Sequence, residues 1–214
     1  MATLPSYCLR LTCTVTSIGP RLASGGMANT LPDGISTRIT THPCFVAHYV
    51  LMFASSLYTG YSYGVAPMIS YYYGEKNSEK LKKIINSSLK IIAAISAATA
   101  AASFAAAKPL VTVFARPDNP VYSLAVTGNQ ICTLALLFIG FNIFASGAFT
   151  ALSNGIVSAV LAFSRSFVFM LITMLILPAF LGINGIWLAT PAAELMALAL
   201  SAGMFVKYRR MYLG

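Results

Sequence analysis

A chain of 214 residues that is 57% hydrophobic and 9% charged cannot hide its apolar side chains in a water-soluble core. Lipid is therefore part of its solvent. The net charge of +9 raises nucleic acid as a partner, but the basic residues gather at a few points, as topogenic charge does, and no arginine–aromatic recognition module is present; a nucleic-acid partner is excluded.

Residues 1–44 are rich in Thr, Ser, Gly and Pro and contain no apolar run of spanning length. Arg10 and Arg21 interrupt any signal-peptide core. With neither helical nor strand periodicity, the segment is predicted to be disordered and foreign to the fold that follows; a genuine extramembrane extension is the alternative. At Phe45 the composition changes. No formal charge occurs as far as Gly74, and Glu75–Lys83 then brings four lysines and two glutamates. A bilayer core takes about 20 apolar residues as helix, and lysines just past a span place that end in the cytoplasm. The first span is predicted at 46–72, loosened or bent by Gly60, Gly64 and Pro67.

The second span is predicted at 80–114. The run from Asn119 to Ser164 carries no charge and is too long for one crossing. Ser153-Asn154-Gly155 is its natural break, giving spans at 120–151 and 156–181. A fifth span at 184–208 follows Gly182-Ile183-Asn184-Gly185. The expected fold is an all-α polytopic bundle of about five transmembrane helices over residues 45–210. The loops at 74–83 and 153–166 and the C-terminus, with Lys207, Arg209 and Arg210, fall on the cytoplasmic side of a cell membrane, and the 115–119 and 182–185 loops on the other.

Two separated blocks have familiar wording. In the first, Gly60, Gly64, Pro67, Ser70, Tyr73, Gly74 and Asn77 fall in a Gly-x-x-x-Gly-x-x-Pro helix end and its Tyr-Gly-x-x-Asn loop. In the second, the matching features are Ala151 to Gly155, Arg165, Leu177-Pro178, Gly182, Gly185-Ile186-Trp187, Pro191 and Glu194. Together they resemble the multidrug and toxic compound extrusion (MATE) family of the MOP flippase superfamily, although Ala66 stands where that family commonly has Gln. The resemblance implies helices eight to twelve of a twelve-helix, two-lobe transporter, an incomplete C-lobe, with no counterpart of the seventh helix in residues 1–45. It further implies a proton- or sodium-coupled antiporter that expels amphipathic, often cationic compounds. Its partners would be the bilayer, such drugs and the N-terminal lobe, with no cofactor beyond the coupling ion. A transport-inactive fragment or membrane interaction partner is the alternative. A lipid-linked oligosaccharide flippase is a further one, set against spans nearly free of charge.

On this resemblance the cleft side of the lobe is expected to carry Met52, Phe53 and Tyr58 on the first span and Phe141, Asn142 and Phe149 on the third. Methionine and aromatic side chains suit a repacking, polyspecific cavity, though each of these residues serves equally for helix or lipid packing. Some members hold a cation on carboxylates of the seventh and tenth helices; the tenth-like span here has none. Glu194 is the acidic residue inside a span, a weak candidate for ion coupling beside a structural role that includes pairing with Arg165. It is placed near the cytoplasmic end of the last span. Arg165 is expected foremost to anchor the fourth span at the interface. Pro178 and Pro191 are expected to be structural. His48 reads first as a membrane-edge imidazole, with a protonation-linked group as the alternative. Cys8, Cys13, Cys44 and Cys132 show no metal-ligand spacing, so no metal site is expected. No paired carboxylates, Ser/His/Asp set or phosphate-cradling loop argues for an enzyme.

Overall fold

Seven α-helices, one of them prolonged by a π-helical turn, follow one another in the computed structural model, which describes residues 43–114 and 121–213. The expectations for residues 1–42 and for the 115–119 loop lie outside the described residues. Helix α1 spans Pro43–Gly74, α2 Ser78–Ala105, α3 Ala107–Phe114, α4 Val121–Ala151 and α5 Gly155–Phe163. A π-helical turn over Ser164–Phe169 leads into α6 (Met170–Leu181), and α7 covers Ile183–Leu213. Among the described residues, four stretches are long and apolar enough to cross a membrane: Ser78–Ala105, Val126–Ala151, Gly155–Leu181 and Gly185–Tyr208. Helix α1 has the length and lacks charge, but its tyrosines, serines and glycines leave it less apolar than these four.

The bundle is built around α4, the most enclosed of the spanning helices. Several of its inner positions are small, Ala135, Ala145, Ala148 and Ala151, and they lie buried among larger side chains such as Leu136, Phe144 and Phe149. In a bilayer the hydrophobic effect does not drive helices together, so association rests on close packing and interhelical hydrogen bonds, which small residues permit. Gly147 shows the closeness: a Cβ there would collide with the Ser62 hydroxyl of α1. Along the α1–α4 seam, Ala47 shares a cluster with Cys132, Ala54 with Ala135, and Ser70 Oγ donates to the Ala151 carbonyl at 2.9 Å. The contacts advance in the same direction on both helices, so α1 runs parallel to α4 for its whole length. Helix α2 turns one stripe inward, Leu81, Ile85, Ser88, Ile92, Ser96, Ala100 and Ser103. This three-to-four-residue spacing defines a single helical face, and the rest of α2 is left to the surroundings.

Tyr58 ties three helices together. Its hydroxyl lies 2.7 Å from Thr99 Oγ1 on α2 and donates to the Leu136 carbonyl of α4 at 3.2 Å.

Two turns at one end of the bundle share a construction. After α1, Asn77 N–H donates to the Tyr72 carbonyl and Lys76 N–H to that of Tyr73, with Lys76 at φ 56°. After α4, Asn154 N–H donates to Phe149 and Ser153 N–H to Thr150, with Ser153 at φ 59°. Both are Schellman endings with a left-handed residue that is not glycine. Each asparagine then caps the next helix: Asn77 Oδ1 accepts from Lys80 N at 3.1 Å, and Asn154 Oδ1 from Val157 N at 3.3 Å. The break expected at Ser153-Asn154-Gly155 is this turn. At the other end, α6 reaches α7 through Gly182 at φ 59°, ψ −135°, a backbone geometry open to glycine alone.

One predicted span differs. The stretch expected as a single helix over 80–114 is interrupted at Ala106. Pro109 has no N–H for the Ala105 carbonyl, and its ring crowds that group. Ala106 N–H to Ala102 and Leu110 N–H to Ala106, both 2.9 Å, continue the hydrogen bonding across the interruption.

Candidate functional site

The polar centre of the bundle grows from four side chains on three elements. Arg165 lies in the π-helical turn, Glu194 on α7 one turn beyond Pro191, Asn142 on α4 and Ser201 further along α7. Arg165 Nε stands 2.9 Å from both Glu194 Oε1 and Oε2. Asn142 Nδ2 donates to Glu194 Oε2 at 2.7 Å and to the Glu194 backbone carbonyl at 2.9 Å. Ser201 Oγ donates to Asn142 Oδ1 at 3.4 Å. The carboxylate is thus held by a guanidinium and an amide. The two charged side chains are only 22% and 11% exposed.

This depth corrects two expectations. Arg165 lies within the span Gly155–Leu181, about 15 Å along the axis from Gly155 at 1.5 Å per residue. It is no interfacial anchor; its side chain turns to an acid inside the lobe. Glu194 does not lie near the last residues of its span, because Gly185 is about 14 Å away and Tyr208 about 21 Å away by the same rise. The two meet in mid-span. The π turn widens the helix by one residue per turn and interrupts the regular apolar pattern, which is how such turns come to hold polar groups. Each charge is costly in hydrocarbon; together they cancel, and Asn142 occupies a further lone pair. With Arg165 in place the pair has no net charge to draw in a cation.

The other expected site residues divide by exposure. Met52 and Phe53 stand on the exposed face of α1, and Phe141 is half-buried beside Ile69, Leu81 and Phe144. Tyr58 at 1%, Asn142 at 3% and Phe149 at 0% are enclosed by the bundle. Phe149 packs against Phe205, centroids 4.8 Å apart, and edge-on to Tyr208. A Cβ at Gly60 or Gly64 would meet nothing, so neither glycine marks a close approach within the lobe. Pro67, Pro178 and Pro191 all lie inside helices that continue through them. His48 is half-buried near the start of α1.

Pro191 has a partner that its sequence position does not announce. A proline leaves the carbonyl four residues earlier without its helical donor. That carbonyl belongs to Trp187, and the buried Cys132 thiol donates to it, S···O 3.8 Å. Cys132 therefore acts as a local hydrogen-bond plug. Asn142, as a lone amide among apolar neighbours on α4, carried the signal for an interhelical polar contact. Ser201 and the π turn carried none.

A family model, MatE, matches residues 46–176, more than half of the chain. No curated protein matches. Among solved structures, the chain is similar to one described as the inward-facing conformation of a multidrug resistance MATE family transporter of the MOP superfamily. The TM-score is 0.67 at 18% sequence identity, and the likeness covers 81% of this chain and 39% of that one. The shared fold and the match through five of the seven helices and into a sixth identify the chain as a member of the MatE family.

Proposed function

We propose that this chain forms part of one lobe of a MATE-type antiporter, which exports amphipathic, often cationic compounds across a cell membrane, driven by a proton or sodium gradient. The observation that carries the reading is the likeness of fold to a multidrug transporter over 81% of the chain. Two physical features support it. Exposed Met52 and Phe53 leave a soft, polarizable surface on α1. The lobe's charged pair is neutralised internally, so it resists neither cationic nor neutral ligands nearby.

Alternating access needs two bundles rocking about a site between them. The chain spans 39% of the transporter it resembles. The 214 residues expressed alone are therefore expected to export nothing. The test is ethidium or fluoroquinolone efflux in a strain without its own pumps, first with this chain and then with a MATE-type N-terminal lobe fused ahead of it. Efflux only from the fusion supports the reading; efflux from neither, with both proteins in the membrane, removes it.

The turn at Asn77 and the end of α7 are assigned to the cytoplasm, because lysines and arginines concentrate there. Reporter fusions at Asn77 and Gly214 check this, and a signal from the far side of the membrane at either position overturns the five-span topology.

A further inference from the structure

Two basic segments far apart in sequence meet at one rim of the bundle. Lys76, Lys80, Lys82, Lys83 and Lys90 belong to the turn after α1 and the first turns of α2, and all five are exposed. Lys207, also exposed, lies near the end of α7. The fold joins them through Phe205, which packs against the cluster containing Leu81 and Ile85. Only Glu75 and Glu79 oppose these six lysines within the same segments. Aromatic rings support the ammonium groups: Lys80 Nζ sits 5.5 Å from the Tyr72 centroid and Lys207 Nζ 5.8 Å from that of Tyr208. Tyr71 beside them is exposed.

We infer that this rim docks the headgroups of anionic phospholipids. Its position selects the lipid over a soluble phosphate. The lysines lie at the ends of helices read as crossing the bilayer, where headgroup phosphates lie, and exposed Tyr71 sits beside them, as tyrosines do at membrane interfaces. Lys90 sits about 18 Å along α2 from Ser78, so its ammonium reaches the headgroup layer only by extending back along the helix, as long basic side chains do. The inner stripe of α2 is buried while Lys82, Lys83, Asn86, Ser87 and Lys90 face out, leaving that side free for lipid.

The inference requires only that the chain sits in a membrane, so its failure would leave the transport reading intact. The experiment is native mass spectrometry of the full chain released from vesicles of phosphatidylcholine mixed with phosphatidylglycerol. The variants are Lys82→Gln/Lys83→Gln/Lys207→Gln, the same three positions changed to Arg, and Lys108→Gln on α3 at the opposite end. Wild type is expected to retain phosphatidylglycerol over phosphatidylcholine. The triple Gln variant should lose about five-fold of that preference per lysine removed, since each surface cation contributes about 1 kcal/mol. The Arg variant and Lys108→Gln should keep it. Soluble glycerophosphate should not displace the lipid. Equal retention of both lipids, an equal loss in Lys108→Gln, or displacement by glycerophosphate would each overturn the inference.

Discussion

Arg165 meets Glu194 through one nitrogen, with Nε equidistant at 2.9 Å from the two carboxylate oxygens. Removing either partner leaves a charge with no counterion inside the lobe. Arg165→Leu and Glu194→Leu should each destabilise the chain by about 3–5 kcal/mol. The double variant should cost clearly less than the sum, because no charge is then stranded. Thermal unfolding in detergent measures all three. Strict additivity would show that the two side chains do not depend on each other.

Cys132 should be replaceable by serine and not by alanine. Alanine strands the Trp187 carbonyl that Pro191 leaves without a helical donor, at a cost of about 1 kcal/mol. Serine supplies a stronger donor than the thiol. If Cys132→Ala and Cys132→Ser shift the midpoint equally, the lost volume matters and the hydrogen bond does not.

Ser153 holds a left-handed conformation that glycine adopts without strain. Ser153→Gly is expected to stabilise the turn by about 1 kcal/mol, and Asn154→Ala to cost about 1 kcal/mol by uncapping α5. A chain destabilised by Ser153→Gly would mean that entropy gained in the unfolded state outweighs the relieved strain.

Tyr58→Phe should cost about 1 kcal/mol, since it removes a hydroxyl that bonds both Thr99 and the Leu136 carbonyl while leaving the ring packed. Hydrogen exchange at the middle of α2 is the sensitive readout. Unchanged protection there would assign Tyr58 a packing role alone.

Much of the bundle was legible in the residues. Uncharged runs gave the helices, and Ser153-Asn154-Gly155 gave the break because small polar residues satisfy a helix end locally. The interruption at Ala106 was also written, in Pro109, but an unbroken apolar run concealed it. The pairing of Arg165 with Glu194 could be named as an option and no more. Arg165 is a short step in sequence from a turn, and a sequence cannot show that a π-helical turn carries it into the lobe. The resemblance assigns Asn142 to a cleft; its contacts with Glu194 arise from the crossing of α4 and α7, which no local pattern encodes. The segments that carry Lys82 and Lys207 likewise join only through packing, that of Phe205 against the cluster containing Leu81.

Helix α4 is more than half enclosed, whereas the span formed by α5, the π turn and α6 is almost entirely open to its surroundings. A central shaft with neighbours on most sides cannot slide without carrying them along. In any motion of this bundle, α1, α2, α4 and α7 should travel as one body. The outer arm, fastened at mid-height by Arg165 and at its ends by the turns at Asn154 and Gly182, is the part with freedom to flex. Compliance in this lobe is thus peripheral, and a label that senses bending belongs on Phe167 or Leu175 rather than anywhere along the shaft.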